Sequence, residues 1–282
     1  MAESPLPGLL AVEWIEEHPR FFLPRVGQVF ARFGVGTQDS GNVSYGVQSG
    51  GHRFFVKTPG DPDEQAATLG HEQRVALLHN AAELARSCTH AAMPALRTVL
   101  GSPIGPLLVY DWVDGDLLGV AREKRDDPRS PHRHFRELPV HQIVRALDIV
   151  YDLHRDLAEA GWIASDFYDG SLLYDFVLGR LWVIDLDHYR RGSFENDMGR
   201  MFGSTRFMAP EEFTRGATID QRTTVFTLGR LALVFLADGT LDGAAFRGRA
   251  GQHAVLTTAC QPDPARRFPT VAEFYAVWRA GA

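Results

Sequence analysis

Two aspartates follow short apolar runs, and they are the first candidates for chemistry in this sequence of 282 residues: Asp166 and Asp185. Residues 172–174 and 181–184 are typical of two short strands joined by a turn at 178–180. A hairpin of this kind brings Asp166, at its start, close to Asp185, at its end. Two carboxylates held together on rigid strands suit metal binding and proton abstraction. The plainer interpretation is that both acids cap turns.

A lysine inside an apolar strand pattern is the second candidate. Of the 29 basic residues only Lys57 and Lys124 are lysines, and Lys57 ends the strand-like run Arg53-Phe-Phe-Val. An ammonium is a compact point charge that suits a phosphate. The segment before this strand is rich in glycine and includes Gly36 and Gly41. A glycine-rich hairpin lets backbone N–H groups approach phosphates, although an ordinary hairpin with loose turns fits the same glycines.

Composition excludes several classes of protein. A net charge of −6 gives no reason to expect nucleic acid as a partner. No apolar run reaches about 18 residues, so we expect no membrane span. The first residues lack the pattern of a secretory signal, and Cys88 and Cys260 lie far apart, without metal-ligand spacing. These features favour a cytoplasmic globular protein.

The elements that must position these residues follow from periodicity. We expect a short helix over about residues 9–17, then strands up to Lys57. We expect a helix from Gly70 with Glu72 in its first turn. Glu72 is either a plain N-terminal acid, which interacts favourably with the helix dipole, or it forms an ion pair with Lys57. Two further strands lead to a connection at Asp111-Trp-Val113.

The second half of the chain has a helical pattern around the two aspartates. Residues 140–160 form a long amphipathic pattern, and residues 223–237 are strongly apolar. A helix over 271–278 has Thr270 as its expected N-cap, with Glu273 three residues later.

The order of these features resembles the protein kinase family, especially bacterial Ser/Thr kinases of the eukaryotic type. Phe-Val-Lys57 is similar to the strand-3 lysine motif, Asp185-Leu-Asp187 to Asp-Phe-Gly, and Ala209-Pro-Glu211 is the literal third signature. The segment Gly203-Ser-Thr-Arg-Phe-Met resembles the peptide-docking loop, and Arg267 matches the arginine that pairs with the glutamate of the third signature. The resemblance covers roughly residues 30–278.

The family's catalytic-loop tetrapeptide is also spelled at His154-Arg-Asp156-Leu, but inside the amphipathic helix pattern. We therefore assign the catalytic loop to Ala164-Ser-Asp166. Several residues depart from the family pattern. Ser171 stands where a metal-binding Asn is expected, Tyr168 where Ser/Thr kinases have Lys, Asp187 for the glycine of Asp-Phe-Gly, Ser165 for the catalytic-loop arginine, and Thr224 for a buried helix aspartate that supports this loop.

The resemblance implies an α+β, bilobal protein-kinase-like fold in a single domain over residues 1–282. A small β-rich N-lobe would span about 1–110, and a larger helical C-lobe about 111–282. Gly36 and Gly41 would cover the phosphates of ATP, Lys57 would bind them braced by Glu72, and backbone groups from Asp111 to Val113 would read adenine. Asp185 would bind Mg²⁺ with Ser171 or Asp187, and Asp166 would accept the substrate proton.

Three functions fit these residues. The first is ATP-dependent phosphoryl transfer to a protein Ser/Thr hydroxyl. The second is phosphorylation of a small molecule such as an antibiotic or metabolite, because Asp166-Phe-Tyr-Asp-Gly-Ser resembles the loop of aminoglycoside phosphotransferases. The third is a pseudokinase that binds nucleotide without turnover.

Overall fold

Alternating apolar residues build the first strands of the chain, and two glycines allow the turn between them. Strands β2 (Val43–Ser49) and β3 (His52–Thr58) pair antiparallel across Gly50 and Gly51. Both glycines have positive φ (58° and 82°), which a two-residue hairpin turn of this kind favours. These observations come from a computed structural model, which describes residues 8–34 and 40–281.

The chain divides into two compact units, one of residues 1–89 with 94–113 and one of residues 90–93 with 114–282. The class is mixed α+β, with 39% of residues helical and 19% in strands. The first unit is built on a five-stranded antiparallel sheet in the order β1-β2-β3-β5-β4. Its remaining strands are β1 (Gln28–Phe33), β4 (Leu96–Leu100) and β5 (Leu107–Asp111).

One face of this sheet is covered by the start of the chain. The helix expected over residues 9–17 is wrong, because helix α1 spans Pro19–Val26 and is preceded by a 3-10 turn at Gly8–Ala11. Pro19 suits the first helical position, and the His18 side chain accepts the Arg20 N–H. Both elements bury leucine and phenylalanine on the sheet, in a core of Leu9, Phe22, Leu23, Val43, Tyr45, Val47, Phe54, Val56, Leu107 and Val109.

The opposite face packs against helix α2 (His71–Ser87). Leu78, Ala81 and Ala82 of this helix form a buried cluster with Leu108 of β5. Because successive residues of a strand point to opposite faces, Leu107 and Leu108 serve different cores.

The second unit contains the other five α-helices of the described ranges. Helix α4 confirms the long amphipathic helix, since Ile143, Leu147, Val150 and Leu157 are all buried. Helix α5 is apolar nearly all round, which is typical of a helix at the centre of a core. At α7 the Thr270 side chain accepts the Glu273 N–H at 3.1 Å, as expected for an N-cap. The helices are α3 (Pro131–Glu137), α4 (Val140–Glu159), α5 (Gln221–Leu236), α6 (Ala250–Ala259) and α7 (Val271–Ala280).

Short strands in this unit form small antiparallel ladders. The predicted hairpin is present as β8 and β9, with Gly179 at positive φ in its turn. Strand β6 extends this pair to three strands, β7 pairs with β10, and β11 pairs with β12. The bounds are β6 (Asp116–Leu117), β7 (Trp162–Ile163), β8 (Leu172–Asp175), β9 (Arg180–Val183), β10 (Arg190–Arg191), β11 (Phe194–Glu195) and β12 (Thr218–Ile219).

A buried ion pair joins distant parts of this unit. The two terminal nitrogens of Arg267 donate to the two carboxylate oxygens of Glu211 at 2.6 and 2.9 Å, and both side chains are buried. The pairing expected from the sequence is thereby confirmed. Thr223 of α5 donates its hydroxyl to the same carboxylate, so the pair ties the segment at Glu211 to α5 and to the loop before α7.

We expect Glu211→Gln to lower the free energy of unfolding by about 3 kcal/mol, because the Arg267 charge stays buried without its counter-ion. Urea denaturation measures this change. The matched control is Glu137→Gln, which breaks the exposed pair with Arg133 and is expected to cost less than about 0.5 kcal/mol. Equal losses in the two variants would contradict the structural role of the buried pair.

Candidate active site

The two predicted aspartates lie on two segments of the second unit. Each segment connects the β7–β10 ladder with the β8–β9 ladder. The segment with Asp166 runs from β7 to β8, and the segment with Asp185 runs from β9 to β10. Since β7 pairs with β10 and β8 pairs with β9, both segments are fixed at both ends and must run side by side. We call them the Asp166 segment (164–171) and the Asp185 segment (184–189).

Contacts between the two segments confirm this arrangement. The backbone N–H of Ile184 donates to the Ser171 carbonyl at 2.9 Å, which places Ser171 beside the start of the Asp185 segment. At the other end, His188 Nε2 lies 3.9 Å from Asp166 Oδ2. The hairpin predicted from the sequence is therefore present, and it places Ser171 beside the Asp185 segment, whereas the predicted closeness of the Asp166 and Asp185 carboxylates stays a prediction.

Both aspartates have an uncommon backbone conformation. Asp166 has φ 59° and Asp185 has φ 60°, and no other non-glycine residue in the described ranges has a positive φ. The left-handed region disfavours side chains other than those of Asn and Asp, and such residues concentrate at functional sites. Asp185 is exposed and the Asp166 side chain is 25% exposed, so both carboxylates reach solvent from a largely buried backbone.

A buried histidine beneath both segments supports this backbone. His154 Nε2 lies 2.7 Å from the Tyr189 hydroxyl, and its ring packs 4.4 Å from that of Phe167. Burial lowers the pKa of His154 to about 4, so the ring is neutral near pH 7. The tetrapeptide at His154 lies inside α4, where Asp156 pairs with Arg155 on the helix surface. His154 is a packing residue whose importance the sequence did not reveal.

Thr224 stands where the resemblance implies a buried aspartate that supports the Asp166 segment. The Thr224 hydroxyl of α5 accepts the Ala164 N–H at 3.1 Å, and the residue is buried. The departure noted in the sequence at this position therefore still leaves a hydrogen-bond acceptor under the loop.

Potential ligands for a divalent cation in this unit are oxygens. Ser171 is buried and lies beside the Asp185 segment, whose first acid, Asp185, is exposed, whereas Asp187 is buried. Mg²⁺ is usually held by one or two carboxylates together with substrate phosphates. The carboxylate of Asp185 and the hydroxyl of Ser171 are oxygen ligands of this type. No group of three or more acid, His or Cys side chains with metal-site geometry occurs within residues 8–34 and 40–281.

A second carboxyl group, which the sequence pattern does not single out, lies near Asp166. Glu212 and Asp166 line the same small cavity, together with Gly203, Met208 and Thr227. Glu212 Oε2 accepts the Ala209 N–H at 2.6 Å. Burial, with the negative charges of Glu211 and Asp166, raises the pKa of Glu212 to about 8. The only sequence signal was a second acid directly after the Ala-Pro-Glu motif.

In the first unit Lys57 lies on the central strand β3, between Ser44 of β2 and Leu108 of β5, and is buried. Two residues earlier, Phe55 lies on the same sheet face. Phe55 belongs to an aromatic group with Trp112 and Phe33, with ring centroids 6.0–6.4 Å apart. The lysine side of the sheet is therefore both cationic and aromatic.

The structure does not bring Glu72 to Lys57. Glu72 is exposed in the first turn of α2, and no ion pair between these two residues occurs in the described part of the chain. The inward-facing charge of the helix is instead Arg74, which is buried and donates to the carbonyls of Gly41 at 2.8 Å, Pro59 at 2.5 Å and Asp61 at 2.9 Å. The acid of the first turn points to solvent because the inner helix face is used by Arg74 and Leu78.

The remaining residues predicted to contact the nucleotide are two glycines and the connection at residues 111–113. Gly41 has φ 91°, and a Cβ there would lie 2.2 Å from the Ala67 Cβ, so the position requires glycine for close packing. Gly36 lies outside the described residues. The Asp111 N–H donates to the Ala95 carbonyl at 2.9 Å, so this N–H is engaged within the first unit rather than free for a base. Val113 ends the first unit.

A cavity of about 430 Å³ lies elsewhere in the first unit, next to α1. It is bordered by His18, Arg20, Arg32, Tyr45 and Asp61, and His18 Nε2 lies 2.8 Å from Asp61 Oδ1. None of the described residues predicted to bind nucleotide lines it.

Comparisons with known proteins give no family. A scan against family models finds no match, and a search of curated proteins also finds none. Among the described helices, none is both long and apolar enough to cross a membrane.

The pKa of Glu212 predicts a pH-dependent stability. The folded-state pKa of about 8 lies above the ordinary value of 4.5. The protonated side chain therefore contributes stability that is full below about pH 4.5 and is lost as the pH rises through about 8. We expect the free energy of unfolding to fall by about 4 kcal/mol more in the wild type than in Glu212→Gln between pH 5 and 9. Parallel denaturation profiles of the two proteins would contradict this assignment.

Proposed function

We propose that the chain is an ATP-dependent phosphotransferase with a bilobal protein-kinase-like fold, which phosphorylates a protein hydroxyl. The observation that carries the proposal is the pair of aspartates on adjacent segments. Asp166 and Asp185 are the described non-glycine residues with left-handed backbone, and both carboxylates reach solvent. The residue order that resembles the kinase family, together with the Glu211–Arg267 pair, supports this choice.

In the proposed reaction the acceptor hydroxyl oxygen attacks the γ-phosphorus of ATP. The bond from this phosphorus to the bridging β–γ oxygen breaks, ADP leaves, and the hydroxyl proton passes to the Asp166 carboxylate. Asp185 and Ser171 would hold Mg²⁺, which would neutralise charge on the phosphates. Lys57 would bind the phosphates through its ammonium, and the aromatic group around Phe55 offers an apolar surface for the base.

Several observations shape this proposal. Glu72 is exposed, so Lys57 cannot depend on it as the family pattern implies, and the Asp111 N–H is engaged elsewhere. The proposed site therefore consists of Lys57, Asp166, Asp185 and Ser171. The loop at 203–208, which resembles a peptide-docking loop, lies against Asp166, since a Cβ at Gly203 would be 3.6 Å from Asp166 Oδ1. This contact favours a peptide acceptor over a small molecule.

We expect Asp166→Ala to reduce phosphoryl transfer at least about 100-fold while ATP binding persists, because the variant removes the proton acceptor and leaves the phosphate ligands. Transfer is measured with γ-labelled ATP and Mg²⁺ on casein-like proteins and on a panel of aminoglycosides.

The matched control is Asp156→Ala, which removes the aspartate of the literal tetrapeptide in α4 and is expected to retain activity within about twofold. Unchanged transfer by Asp166→Ala would remove Asp166 from its role. Labelling of aminoglycosides alone would replace the protein acceptor by a small molecule, and binding of ATP without transfer by the wild type would identify a pseudokinase.

A further inference from the structure

Two arginines and a histidine surround one buried carboxylate in the second unit. Asp169 belongs to the Asp166 segment and is 2% exposed. Its Oδ2 accepts a hydrogen bond from a terminal nitrogen of Arg206, and His132 Nδ1 lies 3.3 Å from the same oxygen. Arg125 lies near enough for the charges of both Asp169 and Arg206 to act on it. We call Arg125, His132 and Arg206 the cationic cluster.

The cationic cluster has more donors than the carboxylate can satisfy. Nε of Arg125 and Nε of Arg206 are buried and have no hydrogen-bond partner among the described residues. The His132 side chain is 2% exposed, so its nitrogen has little access to solvent. Buried donors without acceptors are unfavourable, and a ligand rich in acceptor oxygens would relieve this deficit.

The net charge around Asp169 also favours an anionic ligand. Three arginines, Arg125, Arg206 and Arg122, lie near two acids, Asp169 and Glu123, which leaves one positive charge in excess. Burial lowers the pKa of Arg125, and the charges of Arg206 and Arg122 lower it further, while Asp169 and Glu123 raise it. Arginine nevertheless remains protonated in proteins, so the excess charge persists. The structure therefore holds excess positive charge on partly exposed arginines, which an anion would compensate.

The position of the cluster relates it to the acceptor side of the site. Gly203 lies against Asp166, and Arg206, three residues later, bonds Asp169, three residues after Asp166. The two loops thus run alongside each other past both aspartates. Three residues of extended chain span at most about 10 Å, so the cluster lies within a short peptide's reach of the Asp166 carboxylate.

We propose that the cationic cluster is a subsite for an acidic side chain of the phosphate acceptor, one to three residues from its hydroxyl. The recognised chemistry is an oxyanion, for which the planar fork of an arginine is suited. The acceptor would be a peptide segment with Asp or Glu beside its Ser or Thr. The proposal rests on the proposed function, because it assigns the acceptor of the same reaction.

Peptide binding in the absence of ATP tests the subsite independently of catalysis. The probes are two fluorescein-labelled peptides with one serine, one flanked by glutamates and the other by glutamines, and the readout is fluorescence anisotropy with the full chain. We expect the acidic peptide to bind the wild type about tenfold more tightly. Arg125→Gln should lose this preference, whereas it leaves the Arg206–Asp169 bond in place.

The matched control is Arg129→Gln, which removes the same charge from the same part of the chain. The Arg129 side chain is 91% exposed and pairs with Asp127, so its removal should leave the peptide preference unchanged. Arg125→Lys keeps the charge without the fork, and we expect a several-fold loss of affinity for the acidic peptide. Circular dichroism checks the fold, and if Arg125→Gln fails to fold, Arg125→Lys replaces it.

Three results would overturn the proposal. Equal affinity of the wild type for the two peptides would remove the subsite, and an equal loss in Arg129→Gln would reduce it to general surface charge. Competition by inorganic phosphate together with no peptide preference would assign the cluster to a free anion. A preference that is present while labelled ATP yields no transfer would retain the subsite and reject the proposed function, so the two failures are distinguishable.

Discussion

The left-handed backbone at Asp166 and Asp185 is the constraint on which the candidate site depends. Each of these conformations costs of the order of 1 kcal/mol or more, so it persists only where the surroundings enforce it. Here the surroundings are two strand ladders that fix the ends of both segments, and a buried His154 that contacts Phe167 and Tyr189 from below. The residues on either side of the two aspartates are mostly buried and hold the backbone in place, whereas the two carboxylates reach solvent.

Polar groups buried around these segments carry much of the organisation of the second unit. Thr224 accepts the Ala164 N–H, Glu212 accepts the Ala209 N–H, and Glu211 binds Arg267 through both oxygens. Buried polar groups of this kind favour one arrangement, because any other leaves them without partners. In the first unit Arg74 has the same function, since it holds three carbonyls around the end of the glycine-rich segment.

Local patterns in the sequence predicted much of this structure. The hairpin at 172–184, the amphipathic helix α4 and the N-cap at Thr270 follow from periodicity and turn chemistry within short windows. The Glu211–Arg267 pair, 56 residues apart, was predictable only through the resemblance to a known family. Such a contact has no local signature, because it depends on how α5 and the loop before α7 pack.

The errors also have physical causes. Periodicity predicts a helix over residues 9–17, but prolines and the cap at His18 favour a helix over Pro19–Val26 instead. Glu72, the acid of the first turn, is the residue that the sequence predicts to face Lys57, whereas the inner face of the helix carries the buried Arg74. The raised pKa of Glu212 could not be inferred, since it arises from burial beside other acids that only tertiary packing determines.

The most direct test of the central claim is whether the chain binds ATP through a divalent cation held by Asp185. Thermal unfolding of the wild type, measured with ATP and Mg²⁺ and with ATP and EDTA, should show a midpoint about 5 °C higher when the metal is present. Asp185→Asn should abolish this difference, and Asp116→Asn, which alters an exposed acid on β6, should retain it. Equal midpoints with and without Mg²⁺ in the wild type, or an undiminished difference in Asp185→Asn, would contradict the proposed phosphotransferase site.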